Sequence, residues 1–184
     1  DAAFLMNLFS INLDLGLVRL LTKTGTGEAQ TLPPDWCSLS GEAVFVCGSF
    51  SPDVSDNGLL TVFDTSTDNF DPDRIDANQT IDVYLHNAVT NRIQLLSRSP
   101  AGPAPTQFPD GIPDLPKLFR VSDSPDISGN GRFVIYRTTA LEWTEGQAGY
   151  GYVVVDLARP TEPGELISRP PPGAEPFSLK VSVT

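Results

Sequence analysis

Six aspartates and one asparagine crowd a single stretch of the 184-residue chain: Asp64, Asp68, Asp71, Asp73, Asp76, Asn78 and Asp82. Calcium takes about six to eight oxygens from carboxylates, amides and carbonyls. Asp71, Asp73, Asp76, Asn78 and Asp82 supply oxygens of that kind. The spacing lacks the central glycine and terminal glutamate of an EF-hand loop. Two readings stand for this stretch: a loop that binds Ca2+, or a solvated acidic connection between strands.

Other chemistry is sparse. The sequence holds one histidine and two cysteines. His86 shares a strand face with Asp82 and Tyr84, but a general base needs a nucleophile within reach. No G-x-S-x-G elbow occurs. No catalytic constellation is expected, and the chain reads as a non-enzyme. Gly146–Gly151 is glycine-rich but follows no strand-to-helix step, so it does not read as a phosphate loop. Cys37 and Cys47 flank an expected hairpin of Trp36–Ser40 and Val44–Phe50. Opposed positions there come close enough for a disulfide, and two buried free thiols are the alternative. Asn78-Gln79-Thr80 is a formal glycosylation sequon. Trp143 follows a strand, and an exposed tryptophan there makes a natural binding anchor. Core packing is the alternative for it and for Trp36, Phe45, Phe50, Phe63 and Phe70.

Charge narrows the partners. Twelve Lys+Arg stand against 23 Asp+Glu, a formal net charge of -11. Nucleic acids and anionic membranes are polyanions and need basic partners, so neither is expected. No apolar run approaches the ~18–20 residues of a membrane span. Residue 1 is Asp, and no basic-then-apolar leader opens the chain. A processed form or a piece of a longer protein is expected. Low lysine content with many Asp, Asn, Ser and Thr suits an extracytoplasmic, periplasmic or secreted setting.

The elements that position these residues read as strands. Short apolar runs bounded by Gly, Pro, Asn, Asp and Ser recur at Leu59–Asp64, Ile81–His86, Ile93–Ser97, Phe133–Thr138, Tyr152–Asp156 and Phe177–Val183. Ala2–Phe9 alone suits a turn or two of helix. The 17 prolines cluster in Pro100–Pro116 and Pro160–Pro176, which cannot be central strands because proline lacks the ladder donor. The chain is expected to be all-β.

It also repeats. Ser51-Pro52-Asp53-Val54-Ser55-Asp56-Asn57-Gly58 returns 73 residues later as Ser124-Pro125-Asp126-Ile127-Ser128-Gly129-Asn130-Gly131. An apolar strand follows each copy. Asp82–Asn87 is echoed by Gly151–Asp156, and Leu95-Leu96-Ser97-Arg98 by Leu166-Ile167-Ser168-Arg169. Ser10–Leu15 and Leu17–Thr22 look like the last two strands of a further unit. The Asn-Gly pairs suit two-residue hairpins, where positive φ is needed. Asp53 and Asp126 are expected to cap local backbone donors. Ser97-Arg98 and Ser168-Arg169 read as inter-unit bonds to Asp, or as a basic lining for an acidic ligand. A four-stranded sheet with two apolar faces cannot bury both alone and must stack on neighbours.

This order of motifs resembles the TolB-like, WD40-like (PD40) β-propeller repeat. The resemblance covers units at about 51–99 and 124–170, with a degraded part at 8–50 and a C-terminal strand at 177–183. It implies one propeller-type domain over 1–184, with about three blades of four antiparallel strands, incomplete or completed by assembly. Propellers close with roughly four to eight blades. The resemblance implies a non-enzymatic module for protein contact or self-association. Two alternatives remain: an extracellular structural protein that assembles by strand exchange between chains, and the propeller portion of a larger hydrolase.

Overall fold

The computed structural model describes residues 5–23, 47–67, 70–74, 76, 78, 80–99, 121–144 and 150–168. The Phe177–Val183 strand, the loop at 100–116, Trp36, Cys37, Phe45 and Asp68 fall outside them, as does the side chain of Cys47, so the proposed disulfide does too.

The described chain is all-β, with one four-residue helix. Its strands are β1 (Leu5–Met6), β2 (Phe9–Asn12), β3 (Leu17–Leu20), β4 (Cys47–Val54), β5 (Leu60–Thr65), β6 (Asp82–Asn87) and β7 (Arg92–Leu95), then β8 (Ser122–Ile127), β9 (Phe133–Thr138), β10 (Gly151–Asp156) and β11 (Glu165–Ser168). The helix α1 is Leu141–Thr144. Within the expected helix turn at Ala2–Phe9, the described residues form strand at Leu5–Met6 and again from Phe9. There β1 adds in parallel to the start of β4, and a side chain on Gly48 would strike the Met6 backbone.

Two four-stranded antiparallel units carry the structure, β4-β5-β6-β7 and β8-β9-β10-β11, each in chain order. A hairpin of β2 and β3 stands apart from both. Side chains alternate across each sheet, so each unit has two faces. Val62, Val83 and Leu85 on the forward face of the first unit meet Ile127, Val134, Tyr136, Val153 and Val155 on the rear face of the second. The rear face of the first unit carries a second cluster, Phe63, Phe70, Tyr84, Ile93 and Leu95, with Leu8 against it. Three of its rings pack at 5.6–6.2 Å between centroids.

The repeated motif folds the same way twice, and not as a two-residue hairpin. Ser51 (φ 46) and Ser124 (φ 50) take the left-handed conformation immediately before a proline. The register of each ladder slips at that place, between Phe50 and Asp53 and between Asp123 and Asp126. A bulge bends the strand and re-aims the side chain that follows, here aspartate. In the turn, Gly58 (φ 69) and Gly131 (φ 70) alone adopt positive φ. The N–H groups of Gly58 and Gly131 donate to the carbonyls of Ser55 and Ser128 at 2.8 and 2.7 Å. The asparagines act as acceptors instead. Asn57 Oδ1 takes the Ser55 hydroxyl (2.8 Å) and the Leu59 N–H (2.9 Å), and Asn130 Oδ1 takes their counterparts from Ser128 and Arg132. Four-residue loops built on such a turn are a common hairpin connection.

The duplication reaches further back than the shared words. Ser49 Oγ donates to Thr65 Oγ1 at 3.0 Å, and Ser122 Oγ lies 3.0 Å from Thr138 Oγ1. The N–H of Gly48 donates to Ser66 Oγ and that of Val121 to Thr139 Oγ1, each at 3.0 Å. All six hydroxyl residues are buried. Buried hydroxyls are tolerated when they are bonded.

Two buried tyrosines differ in that respect. Tyr84 donates its hydroxyl to Asp76 Oδ2. The Tyr136 hydroxyl has no partner among the described residues, and the equivalent residue of the first unit is Phe63. Tyr84→Phe strips a donor from a buried carboxylate and is expected to cost about 1–3 kcal/mol. Tyr136→Phe removes an unsatisfied group and is expected to be neutral or stabilising by up to about 1 kcal/mol. Urea melts of the two variants check the contrast.

Candidate interaction site

The two units are sewn together by the motif aspartate. Because β4 is bulged at Ser51–Pro52, Asp53 emerges on the forward face opposite Val62. Its Oδ2 accepts the N–H of Ile127 in the second unit at 2.8 Å. Asp53 therefore reaches across to the next unit rather than capping a local donor. Two more bonds run beside it. The Asp56 N–H donates to Gly129 O at 2.8 Å, and the Ser124 N–H donates to Asp64 Oδ2 at 2.9 Å. A side chain at Gly129 would strike the Asp56 carboxylate, which explains glycine where the first unit has aspartate.

The seam gathers acid. Burial raises the pKa of Asp64, and Asp123 adds to that, while the Ser124 N–H, Ser51 and Arg137 oppose it. Asp126 is raised by burial and by its hydrogen bond and charge contact with Asp53. Arg137 pairs with the Asp123 carboxylate and lies 4.6 Å from the Tyr150 ring centre. At the motif turns, Ser51, Pro52, Ser124, Pro125 and Asp126 rim an open depression of about 370 Å³.

Forward of the seam lies a face with the same layout, and among the described residues no further unit covers it. The register places Asp126 opposite Ile135 as it places Asp53 opposite Val62. Phe133, Ile135 and Val154 repeat Leu60, Val62 and Leu85. Val62 is 0% exposed and Leu85 7%, whereas Phe133 is 40% exposed and Ile135 and Val154 are half-buried. These residues line a hollow of about 180 Å³ with Asp126, Ile127 and Gly129. The N-terminal hairpin also bares apolar residues, among them Phe9, Ile11, Leu13 and Leu17.

The acidic stretch has other work. Asp71 accepts N–H groups from Leu95 and Asp73, each at 3.0 Å, and pairs with Arg74 at 3.3 Å. Asp73 pairs with Arg92 at the surface. Asp76 takes the Tyr84 hydroxyl, Asp82 takes Ser97 Oγ, and Asn78 Oδ1 takes the Thr80 N–H at 3.1 Å. Burial raises the Asp76 pKa against the hydrogen bonds from Tyr84 and Asn78. Among the described residues, Asp71, Asp73, Asp76 and Asp82 are not brought together in a group that could hold a metal ion.

Trp143 is buried in the inter-unit core, and its Nε1 donates to Arg98 O at 3.0 Å. It is a packing residue, as the core reading has it, and not the exposed anchor of the other reading. Its α1 position after β9 turns the indole inward. Arg98 bridges the units as one reading expected, but it donates to the carbonyls of Pro160 and Glu162 and not to Asp. Arg169 lies outside the described residues. His86 is buried on β6, and burial holds its pKa below the ordinary 6.5, with Arg19 and Lys23 adding and a hydrogen bond to Asn91 opposing.

No protein-family model matches the chain, and no curated protein matches it. Among solved structures it is similar to TolB from Acinetobacter baumannii in its crystal form. That match spans 89% of this chain and 38% of the other, with 11% identity and a TM-score of 0.28. The chain thus spans less than half the length of that protein.

The two motif aspartates should differ in what they contribute to stability. Asp53→Ala leaves the Ile127 N–H without its acceptor and is expected to cost about 1–3 kcal/mol. Asp126→Ala is expected to change stability by less than about 0.5 kcal/mol, because Asp126 meets Asp53 and no backbone donor among the described residues. Chemical denaturation of both variants reads this directly.

His86 sets a second expectation. Its folded pKa is lowered, so the unfolded chain binds the proton more readily, and stability is lost as pH falls through 6.5. Asp64, Asp76 and Asp126 have raised folded pKa values and work the other way, gaining stability as pH falls toward 3.8. His86→Gln should therefore shrink any loss of melting temperature between pH 7.5 and pH 5.5, which scanning calorimetry measures.

Proposed function

We propose that the chain is a non-enzymatic, extracytoplasmic β-propeller-type module whose work is protein contact. The observation that carries this is the forward face of the second unit. It reproduces a face that is buried one unit earlier, yet among the described residues no unit packs on it and Phe133 is 40% exposed. Exposed apolar patches on otherwise polar proteins mark interaction sites. Asp126, beside Phe133 and Ile135 and hydrogen-bonded to Asp53, gives the patch a polar edge, the combination of apolar centre and polar edge found in protein interfaces. The duplicated four-stranded units, the first joined to the second by Asp53, support the propeller reading. The single buried histidine, with Asn91 as its hydrogen-bond partner, supports the non-enzymatic one. A formal net charge of -11 favours partners that are not polyanions.

A photo-reactive residue placed at Ile135 should give a discrete cross-linked protein product in the native setting. The same residue at exposed Ala158 should give none. Phe133→Asp should abolish the Ile135 product. Equal labelling from Ile135 and Ala158, or none from either, would count against a contact function for this face.

A further inference from the structure

β7 is the outermost strand of the first unit, and side chains already occupy its outer edge. The Leu96 N–H bonds Val83 O beside β6. Antiparallel ladders alternate bonded and non-bonded pairs. Leu95, opposite Tyr84, and Ile93, opposite His86, therefore turn their N–H and carbonyl groups away from β6. An outward row of that kind is a template for a further strand. At Leu95 an ion pair takes the template. Asp71 Oδ2 accepts the Leu95 N–H at 3.0 Å, and Arg74 Nη1 donates to Leu95 O at 3.3 Å. Asp71 and Arg74 also pair with each other at 3.3 Å. Together they give Leu95 the acceptor and the donor that a residue of a neighbouring strand would give.

The cover runs the length of β7. Asp73 pairs with Arg92 at the far end of the strand. Residues 71–73 thus follow β7 in the opposite direction, as an antiparallel neighbour would. Phe70 pins the segment at its start. It is 1% exposed, and its ring centre lies 5.6 Å from that of Tyr84. Past that pin the segment is not packed down. A hollow of about 290 Å³, lined by Asp73, Arg74, Ile93 and Gln94 among others, lies beside it. Two ion pairs, rather than a ladder of backbone bonds, hold the cover in place. We infer that Phe70–Arg74 is a guard strap over a strand-pairing edge, and that it keeps the β7 edge of a second copy from adding to this one. That edge is self-complementary, because two antiparallel copies of β7 present the same outward groups to each other about a two-fold axis. Charged residues and covering loops are known ways of blunting an edge strand. The inference is independent of the contact reading above, which concerns the forward face of the second unit.

Amide hydrogen exchange, read residue by residue at low and high protein concentration, tests this. In the parent, the Leu95 amide should be equally protected at both. Asp71→Ala with Arg74→Ala removes both members of the buried pair, so neither charge is left without the other. When that variant is dilute, Leu95 should exchange roughly tenfold faster or more. As its concentration rises, protection should return at Leu95 and appear at Ile93, and sedimentation velocity should show a dimer. Should that variant not fold, Asp73→Ala with Arg92→Ala opens the exposed end of the strap. Concentration-dependent protection is then expected at Ile93. Leu95 exchange that is fast at every concentration makes the segment a brace and nothing more, and overturns the inference. Unchanged Leu95 exchange overturns it too, as does a parent whose Ile93 protection already grows with concentration. Cross-linking from Ile135 reads the contact function separately, whichever way these results fall.

Discussion

The hydrogen bond from the Ile127 N–H to the Asp53 carboxylate fixes how the two units stack. It exists because Ser51 takes a left-handed conformation before Pro52 and bulges the strand, which turns Asp53 toward its neighbour. The bond fixes the alignment at the inner strands, and the apolar contact buries the faces behind it. Val62, Val83 and Leu85 then lie over Val134, Val153 and Val155, and neither sheet has to bury that face alone. The side chains of Trp143 and Arg98 close the outer part of the same junction. Arg98 does so by holding two carbonyls of the β10–β11 connection.

Charge is distributed with the same economy. The described aspartates of 64–82 divide among the seam (Asp64), a loop that braces the first unit (Asp71, Asp73 and Asp76) and β6 (Asp82). Asp71 serves two backbone N–H groups and Arg74, while Asp76 is buried under Tyr84. A carboxylate that accepts several internal donors has work in the fold, and among the described residues Asp71, Asp73, Asp76 and Asp82 do not converge. The raised pKa values at Asp64, Asp76 and Asp126 share one leading cause, burial. Their effect on stability opposes that of His86.

Much of the architecture was legible before any coordinates. Phe133–Thr138 is a strand over the bounds read from its residues, and Gly151–Asp156 differs by one residue. The offset of 73 residues predicted two equivalent units, and both are four-stranded and antiparallel. Less was legible at the turns. Asn57-Gly58 reads as a two-residue hairpin, but the asparagine side chain accepts hydrogen bonds and only the glycine turns left-handed. The serine and threonine pairs at 49–65 and 122–138 were present in the sequence. They drew no notice because an isolated hydroxyl in a strand has no distinctive spacing.

What the residues determined by themselves was local: the short strands, the order of the repeat, and the need for two-faced sheets to stack. Period-two alternation and turn chemistry act over a few neighbours, so they survive without knowledge of the fold. Only the tertiary structure decided where each side chain was spent. Asp53 and Asp126 occupy the same motif position. Asp53 accepts a backbone N–H from the second unit, whereas Asp126 turns to Asp53 itself, because a unit follows the first and none follows the second among the described residues. Trp143 is core for a similar reason, since α1 turns it toward a partner sheet many residues away. Burial is a property of what lies opposite, and a sequence read along its length does not show what lies opposite.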